Sequence, residues 1–491
     1  MWALVFGAWG LARRGAVWRD EAATWQVARR PVGRILELLG SVDAVHGAYY
    51  LLMHEVFAAF GPGTFVLRAP SVLAVAGAAG CVALLGRRFG GSGTTAGLAL
   101  TVFPGVQFQA QEGRPYALVL FGCAVATLLF VAAVRGEARR GRWAAYGAVV
   151  LASALLNWLA LLVLSAHLVT LCLLGVGREV WARWGVAAGG AVAGVAPLVL
   201  LSATQREQIA WIPPLTWGVL LGPLAVCALG GLAALPARRY AAGSVPLVAV
   251  ALPLLVVPQV LLAVVSSVRP LFLERYVLFA LLGAALLAGA AVDAAVRAVG
   301  RWLVPVLGVT TALALLPSAL AERSPASRVD DVRAGAVLAE RLGLPGDAVV
   351  FVPAARRDSA LVAPARFAGL RDIGLARDAT VSGTLSGVEL PPAALRTALA
   401  TESRVLLLTD AHPGPPAARR DRAKLAALTA GFTPVRTRAW RGRQVTVYVR
   451  RAALGAGRSG APVREVAGMA CGAVGRGRSV VVGSGPVSGL R

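Results

Sequence analysis

The sequence predicts an all-α polytopic membrane protein that ends in a small α/β domain, and three observations predict this fold class. Of its 491 residues, 57% are hydrophobic and 15% are charged, whereas a soluble domain carries about 25% charged residues. The mean hydropathy is +0.70. Runs of about 18 or more uncharged residues, long enough to cross a bilayer, lie at 69–86, 116–134, 247–268 and 276–292.

The apolar segments predict about eleven transmembrane helices in a membrane domain that spans residues 1–320. The stretch from 143 to 176 is divided at Asn157 because it is too long for one crossing. Segment 1–12 is shorter than the roughly 20 residues that a span needs, so we expect the natural chain to begin upstream. The predicted spans are 1–12, 65–86, 94–108, 115–134, 143–156, 158–176, 185–202, 217–235, 246–267, 272–292 and 302–320.

The arginines predict the orientation in the cell membrane. The net charge is +25, and the loops after every second span each carry at least two arginines, which is typical of cytosolic loops. The loop after the first span is then extracytoplasmic, although its own arginines conflict locally with the rule. A basic chain can bind nucleic acid, but short interhelical loops give the arginines a simpler role at lipid headgroups. We therefore expect membrane lipids, and no nucleic acid, as partners.

The first outer loop, 13–63, predicts two short amphipathic helices. Apolar residues recur at i, i+3, i+4 and i+7 from Val32 and again from Tyr49, which is the spacing of one helix face. Pro31 suits a helix start. We expect both helices to lie at the membrane interface and to wall a groove for a lipid tail.

The composition changes after the last span. The segment "RVDDVRAGAVLAERLGL" has the pattern of an amphipathic helix, and "DRAKLAALTAG" predicts a second helix. The segments "DAVVFVP", "RVLLLTD" and "QVTVYV" are typical of buried strands. Residues 321–450 therefore predict a small extracytoplasmic α/β domain. Residues 451–491 are rich in Gly, Arg, Ser and Val without a period, and predict a disordered tail.

The predicted outer loops hold most of the acids and polar aromatic residues, whereas the inner loops hold mostly arginine. A charged side chain at membrane depth costs free energy and is usually kept for a function. Because most of the acids lie in the outer loops, any chemistry is expected at the outer face. Taken singly, each has a structural explanation: Asp20 as a helix cap, Arg114 as an interfacial residue, His46 as a buried histidine. The candidates are Asp20, Glu21, Asp43, His46, Glu112, Arg114, Tyr116, Trp211, Arg269 and Arg275.

The outer-loop motifs, taken in their order along the chain, resemble those of a known superfamily. "RDEAATW" follows the first span, "DAVHGAYYLLMH" comes next, "GTFVLRAPSVLA" opens the second span and "QAQEGRPYALV" opens the fourth. With "QREQIAWIPP" and "RPLFLERYVL", this set resembles the GT-C superfamily of polyprenyl-phosphate-sugar glycosyltransferases. It looks most like the family 39, protein-mannosyltransferase-like members of actinobacteria. The likeness covers roughly residues 16–320 and is weaker through 450.

The resemblance implies roles for particular residues. Asp20 matches the catalytic aspartate of the acidic pair, and Asp43 matches a second acidic position. The family usually follows that second acid with a proline-containing stretch, where this chain reads "HGAYY". Glu112, Arg114 and Tyr116 match a Glu-x-Arg-Pro-Tyr motif, with Gly113 where alanine is common.

The implied reaction moves a hexose, with mannose as the first candidate, from a polyprenyl phosphate to an acceptor hydroxyl with inversion. Asp20 is the expected general base. Arg114 is the first candidate for holding the leaving phosphate, followed by Arg269 and Arg275.

Other roles stay open in the sequence. Glu21, the second catalytic candidate, and Asp43 are expected to orient the sugar, the acceptor or Arg114. Trp211 either stacks on a sugar or anchors the interface. The acceptor is a protein or a glycolipid. No cofactor is expected, and a divalent metal is not required by a lipid-linked donor, although acidic clusters can bind one.

Two alternatives remain at this point. A transporter or flippase of lipid-linked intermediates would place charges near the midplane in broken helices, and Asn157, Pro197, Pro253 and Pro258 are candidate breaks. An inactive scaffold, with the α/β domain as a partner-binding module, is the third interpretation.

Overall fold

A computed structural model describes residues 1–136, 141–205, 211–414 and 418–451. Parts of two expected loops, 137–140 and 206–210, and nearly all of the predicted tail lie outside the described residues. The helices of the membrane part and of the first loop are α1 Trp2–Ala8, α2 Arg19–Val27, α3 Val32–Ser41, α4 Gly47–Phe60, α5 Thr64–Arg88, α6 Gly93–Val102, α7 Pro104–Ala110, α8 Tyr116–Val134, α9 Arg142–Leu156, α10 Leu162–Leu174, α11 Arg178–Thr204, α12 Trp217–Ala237, α13 Leu247–Val268, α14 Leu281–Val299 and α15 Leu303–Glu322.

Seven helical segments among the described residues are long and apolar enough to cross a membrane. They are α5, α8, α11, α12, α13, α14 with the 3-10 turn Glu274–Ala280 that precedes it, and α15. Two other predicted spans, 143–156 and 158–176, correspond to the shorter apolar helices α9 and α10 with its preceding turn. The predicted span 94–108 is wrong as a single helix, because the extended Phe103 divides it into α6 and α7. The first predicted span contains only the seven-residue helix α1. The all-α polytopic fold class is confirmed, with seven of the expected spans long enough on their own.

The predicted division at Asn157 is confirmed. Helix α9 ends at Leu156, and Asn157 is extended, with a φ of −162°. Its side-chain oxygen accepts a hydrogen bond from the Leu159 amide at 3.0 Å and caps the 3-10 turn Trp158–Leu161. In contrast, α11 continues through Pro197, and α13 continues through both of its prolines.

The membrane helices differ in how much they bury. Of the 18 most apolar consecutive residues in the Glu274–Val299 segment, 78% are buried, so this helix lies at the centre of the bundle. Of the corresponding 18 residues in α15, only 6% are buried. Because lipid tails are as apolar as leucine, the exposed leucines and valines of α15 are expected to face lipid.

The first loop contains two helices at the predicted positions, but of their predicted apolar stripes Val32, Leu36 and Leu52 are exposed. Helix α3 starts directly after Pro31 and buries Ile35 and Leu38, while α4 buries Tyr49, Tyr50 and others on its inner face. Ile35, Leu38 and Tyr50 pack in one apolar cluster. The two helices therefore form a fixed layer over the membrane bundle.

The C-terminal part is a mixed sheet with helices, as the sequence predicts. Its elements are α16 Val332–Leu342, β3 Ala348–Phe351, α17 Asp358–Val362, β4 Arg371–Asp372, β5 Leu375–Arg377, β6 Val388–Glu389, α18 Pro392–Thr401, β7 Arg404–Asp410, α19 Arg419–Gly431, β8 Phe432–Trp440 and β9 Arg443–Arg450. The sheet order is β4-β3-β7-β9-β8, in which β3 is parallel to β4 and β7, and β9 is antiparallel to β7 and β8. Strands β5 and β6 form a separate pair, and between α12 and α13 the short strands β1 Ala241–Ala242 and β2 Val245–Pro246 form another.

The sheet domain packs directly on the first loop. Val332 and Val362 share an apolar cluster with Val17 and Trp25. Arg30 donates hydrogen bonds to the carbonyl oxygens of Ala379 and Thr384 at 3.2 and 2.9 Å. The first loop is therefore enclosed between the membrane helices and the sheet domain.

Candidate active site

Helix α2 presents the two adjacent acids in different directions. Asp20 and Glu21 lie in its first turn, where carboxylates interact favourably with the helix dipole. Successive residues of an α-helix are turned by about 100°, so the two side chains meet different neighbours. Asp20 is partly exposed, whereas Glu21 is fully buried.

Asp20 faces Arg275 across the site. Arg275 Nη1 lies 3.1 Å from Asp20 Oδ2, and the two side chains are 18% and 24% exposed. The guanidinium carbon of Arg275 lies 5.4 Å from the ring centre of Tyr116 and 5.7 Å from that of Trp211. The buried Arg275 Nε has no hydrogen-bond partner among the described residues. Arg275 also lines a cavity, and an arginine at a cavity edge suits an anion.

A cavity of about 790 Å³ opens beside Arg275. Its walls come from α7, α12, α13 and the turn Glu274–Ala280, and most of the lining side chains are apolar, Phe108 and Phe272 among them. None of the described residues of the first loop lines it. The expectation that α3 and α4 wall a groove therefore does not hold for this cavity.

Arg114 fixes the backbone behind Asp20. It is buried, and its Nη1 donates to the Asp20 carbonyl oxygen at 3.2 Å. Its Nη2 donates to His46 Nε2 at 3.0 Å. Arg114 does not line the cavity, whereas Arg275 does. Arg114 therefore binds the Asp20 backbone away from the cavity, and Arg275 binds the Asp20 carboxylate at the cavity edge.

The hydrogen bonds of His46 define its tautomer. Arginine only donates, so His46 Nε2 accepts from Arg114, and Nδ1 carries the hydrogen that is donated to Asp43 Oδ1 at 2.6 Å. Burial and the charge of Arg114 lower the pKa of His46, which favours this neutral form. Burial opposes the ionisation of Asp43, but His46 and Arg114 outweigh it and bring its pKa well below the usual range. The Tyr50 hydroxyl also donates to Asp43.

Glu21 is enclosed by arginines. Arg68 Nε and Nη2 each lie 2.7 Å from one of its oxygens, Arg13 Nη2 lies 3.1 Å away, and the Gly113 amide donates at 2.9 Å. Burial would raise the pKa of Glu21, but Arg68 and Arg13 outweigh this and lower it to about 2. Glu21 is therefore a buried anion that joins α2 to α5.

Glu112 belongs to the same buried charge cluster. It accepts a hydrogen bond from Trp18 Nε1 at 2.6 Å and pairs with Arg328, and Arg13 Nη2 lies 3.8 Å from it. Burial raises the pKa of Glu112, and Arg328 offsets this only in part. We call Arg13, Glu21, Arg68, Glu112 and Arg328 the buried charge cluster.

The structure brings together most of the predicted site residues. Asp20, Asp43, His46, Arg114, Tyr116, Trp211 and Arg275 form one connected group through the contacts described above. Glu21 and Glu112 lie in the buried charge cluster on the other side of α2. Arg269 is exposed at the end of α13, and its side chain has no hydrogen bond or ion pair among the described residues.

The residues that sequence reasoning missed are mostly arginines. Arg68 stands in the first turns of α5 and is fully buried. A charge at the start of a membrane span is costly, and this signal was present in the "FVLRAP" motif. Arg13 and Arg328 gave no comparable signal, because both lie in segments that carry several arginines.

The described residues contain no group of three or more His, Cys, Asp or Glu side chains arranged to bind a metal ion. Each acid of the site meets an arginine or His46 instead of another acid.

The fold is similar to that of a known membrane protein. The apo crystal structure of ArnT from Cupriavidus metallidurans matches with a TM-score of 0.56 and 17% identity, over 91% of this chain and 96% of that chain. The structure of ArnT bound to undecaprenyl phosphate matches over the same shares with a TM-score of 0.49 and 16% identity. No protein-family model matches the sequence, and no curated protein matches it. At such low identity the likeness shows the fold alone, and both the GT-C superfamily and its family 39 branch stay predictions.

Proposed function

We propose that the protein is a membrane glycosyltransferase that moves a hexose from a polyprenyl-phosphate sugar to an acceptor hydroxyl. The observation that carries this proposal is the Asp20–Arg275 pair beside a large apolar cavity. An apolar cavity suits a polyprenyl chain, and an arginine at its edge suits the phosphate. The GT-C fold supports the same assignment.

In the proposed mechanism, the phosphate of the donor binds Arg275, whose guanidinium then releases Asp20. Asp20 takes the proton of the acceptor hydroxyl as its oxygen attacks the anomeric carbon. The bond from that carbon to the phosphate oxygen breaks, and the electron pair leaves with the phosphate. Arg275 stabilises the charge that develops there. Attack opposite to the leaving group gives inversion.

The other site residues would hold Asp20 and Arg275 in position. Arg114 holds the Asp20 backbone, and the Asp43–His46 pair orients Arg114. The ring of Trp211 is 61% exposed and lines the cavity beside Arg275, where it could stack on the sugar. Glu21 acts as a positioning residue in this account, since its oxygens are enclosed by Arg68 and Arg13.

Within this proposal, mannose is the first candidate sugar and a protein or glycolipid is the acceptor. The positive-inside pattern supports an active site and an α/β domain on the outer face of the cell membrane. Transport was the alternative. Of its candidate breaks, Pro197, Pro253 and Pro258 lie inside continuous helices, and Asn157 alone of the four ends a helix.

The test is transfer by the purified protein in lipid nanodiscs. Radiolabelled polyprenyl-phosphate mannose, glucose and an amino sugar would each be supplied with acceptors extracted from native membranes. We expect label to move from at least one donor to acceptor. Movement of intact donor across vesicle membranes, without transfer from any donor, would contradict the proposal and favour transport.

A further inference from the structure

Helix α2, which carries Asp20, receives no cap from its own sequence. The preceding residue is Trp18, whose side chain makes no capping hydrogen bond, and the first amides of a helix need partners. The Arg19 amide instead donates to Asp330 Oδ1 at 3.0 Å, across 311 residues of sequence. A carboxylate is a favourable cap because it also meets the positive end of the helix dipole.

The neighbouring aspartate holds the segment that leads into α2. The Val17 amide donates to Asp331 Oδ1 at 3.2 Å, and the Val17 carbonyl accepts from the Val332 amide at 2.7 Å. Val17 is fully buried. Both polar groups of the Val17 backbone are therefore bonded to the start of the sheet domain, three residues before Asp20.

Two arginines of the sheet domain fix these aspartates. Arg443, which is fully buried at the start of β9, places Nη2 3.1 Å from Asp330 Oδ2 and 2.7 Å from Asp358 Oδ2. Arg441, in the turn before β9, places Nη1 3.2 Å from Asp331 Oδ2. The position of the cap is therefore set by the sheet and not by the first loop.

We propose that the α/β domain positions the general base, with Asp330 capping α2 so that Asp20 keeps its place against Arg275. This inference rests on the proposed function and adds a role for the domain, which would otherwise be a separate binding module. Asp330 acts on Asp20 through the Arg19 amide, so it is a positioning residue. Loss of the cap frays the first turn of α2, which contains Asp20.

Asp330→Ala tests the proposal against Asp347→Ala as a matched control. Asp347 also accepts from a backbone amide, that of Leu344 at 2.7 Å, and also pairs with an arginine, Arg404. It lies in the same domain and has no hydrogen bond or ion pair with the first loop among the described residues. Each change therefore removes an amide acceptor and an arginine partner from the domain, but only Asp330→Ala removes the cap of α2.

The first measurement is hydrogen exchange of the amides of residues 17–24 in the intact protein in nanodiscs. We expect exchange about fivefold to tenfold faster in Asp330→Ala, and unchanged in Asp347→Ala, because losing a cap weakens a helix end by about this factor. The second is transfer kinetics, with kcat lowered by a similar factor and the KM for the donor within about twofold. Asp330→Asn keeps an acceptor oxygen and should restore most of the protection.

Equal exchange in the two alanine variants would overturn the proposal, whatever happens to kcat. Faster exchange in Asp330→Ala with kcat equal to that of Asp347→Ala would overturn it too, because the cap would then have no effect on the base. If the unaltered protein transfers no sugar, the proposed function fails. The exchange measurement still decides separately whether Asp330 caps α2.

Discussion

Arg275 belongs to both parts of the proposed site, the general base and the cavity, because it contacts Asp20 and also lines the cavity. Sequence reasoning ranked Arg114 first for the phosphate and placed Arg275 lower. The reason is geometric: Arg114 donates with its terminal nitrogens to Asp20 and His46 and does not line the cavity, whereas Arg275 does line it. A motif shows which residue types occur together, but it does not show which of them lie at a cavity.

Arg275→Lys keeps the charge and removes the planar fork that suits phosphate. We expect the Kd for a polyprenyl phosphate to rise by about tenfold or more. Arg269→Lys is the matched control, since Arg269 is exposed and lies outside the cavity lining. Equal Kd values for the two variants, measured by calorimetry in detergent, would contradict the assignment of Arg275.

The ionised form of Glu21 contributes to stability over a defined pH range. Its pKa in the folded protein is about 2, against an ordinary value of 4.5. A lowered pKa means that the contribution is complete above about pH 4.5 and is lost as the pH falls toward 2. Asp43 acts in the same direction.

Glu21→Gln leaves Arg68 and Arg13 buried without their anion. We expect a loss of about 3–5 kcal/mol in the free energy of unfolding at neutral pH, and a smaller difference from the unaltered protein at pH 3. Glu37→Gln, which removes an exposed pair with Arg34, should cost less than about 1 kcal/mol. Thermal unfolding in detergent at several pH values measures the loss of stability in both variants. If the stability of Glu21→Gln changed with pH in the same way as that of the unaltered protein, this role of Glu21 would be refuted.

At the scale of elements, the arginines of the first loop have specific partners. Arg13 pairs with Glu21, and Arg30 binds carbonyls of the sheet domain, and both are buried. These two contacts explain part of the conflict between the expected outer face of this loop and the positive-inside rule. Arg13 and Arg30 have partners inside the protein, so they do not indicate the side of the membrane.

The cavity walls give a second prediction at this scale. Gly105 lines the cavity from α7, and a Cβ there would meet only Leu278 and Leu281 at 3.7 Å or more. Gly105→Leu should therefore fold and fill part of the cavity. We expect the KM for a long-chain polyprenyl donor to rise by about tenfold, while that for a donor with a short chain stays within about twofold.

Gly308→Leu is the control for this change. Gly308 lies in α15, and a Cβ there meets open space, so its kinetics should match those of the unaltered protein with both donors. An equal rise in KM for the long-chain and short-chain donors in Gly105→Leu would show that the cavity does not hold the chain.

For the whole molecule, the sequence predicts the fold class, the break at Asn157 and the two amphipathic helices, because hydropathy and periodicity are local signals. The strands β3, β7 and β9 were also predicted from local patterns. The buried charge cluster and the cap from Asp330 could not be predicted, because their partners lie far apart in sequence. Span lengths were overestimated for 1–12, where only Trp2–Ala8 is helical.

The orientation of the molecule is a prediction at the same scale. Val381→Cys lies at an exposed position of the sheet domain, and Arg88→Cys lies at the end of α5 in a predicted cytosolic loop. On intact cells, a membrane-impermeant maleimide should label the first variant above the background of the unaltered protein, and the second only after permeabilisation. The reverse pattern would place the site in the cytosol.

The central claim is that Asp20 acts as the general base beside a bound polyprenyl-phosphate sugar. The most direct measurement is the kcat of Asp20→Asn with a donor that the unaltered protein uses, together with the Kd for polyprenyl phosphate. We predict that kcat falls by about 10²- to 10⁴-fold, while the Kd changes by less than about fivefold because Arg275 remains. A kcat equal to that of the unaltered protein would contradict the account.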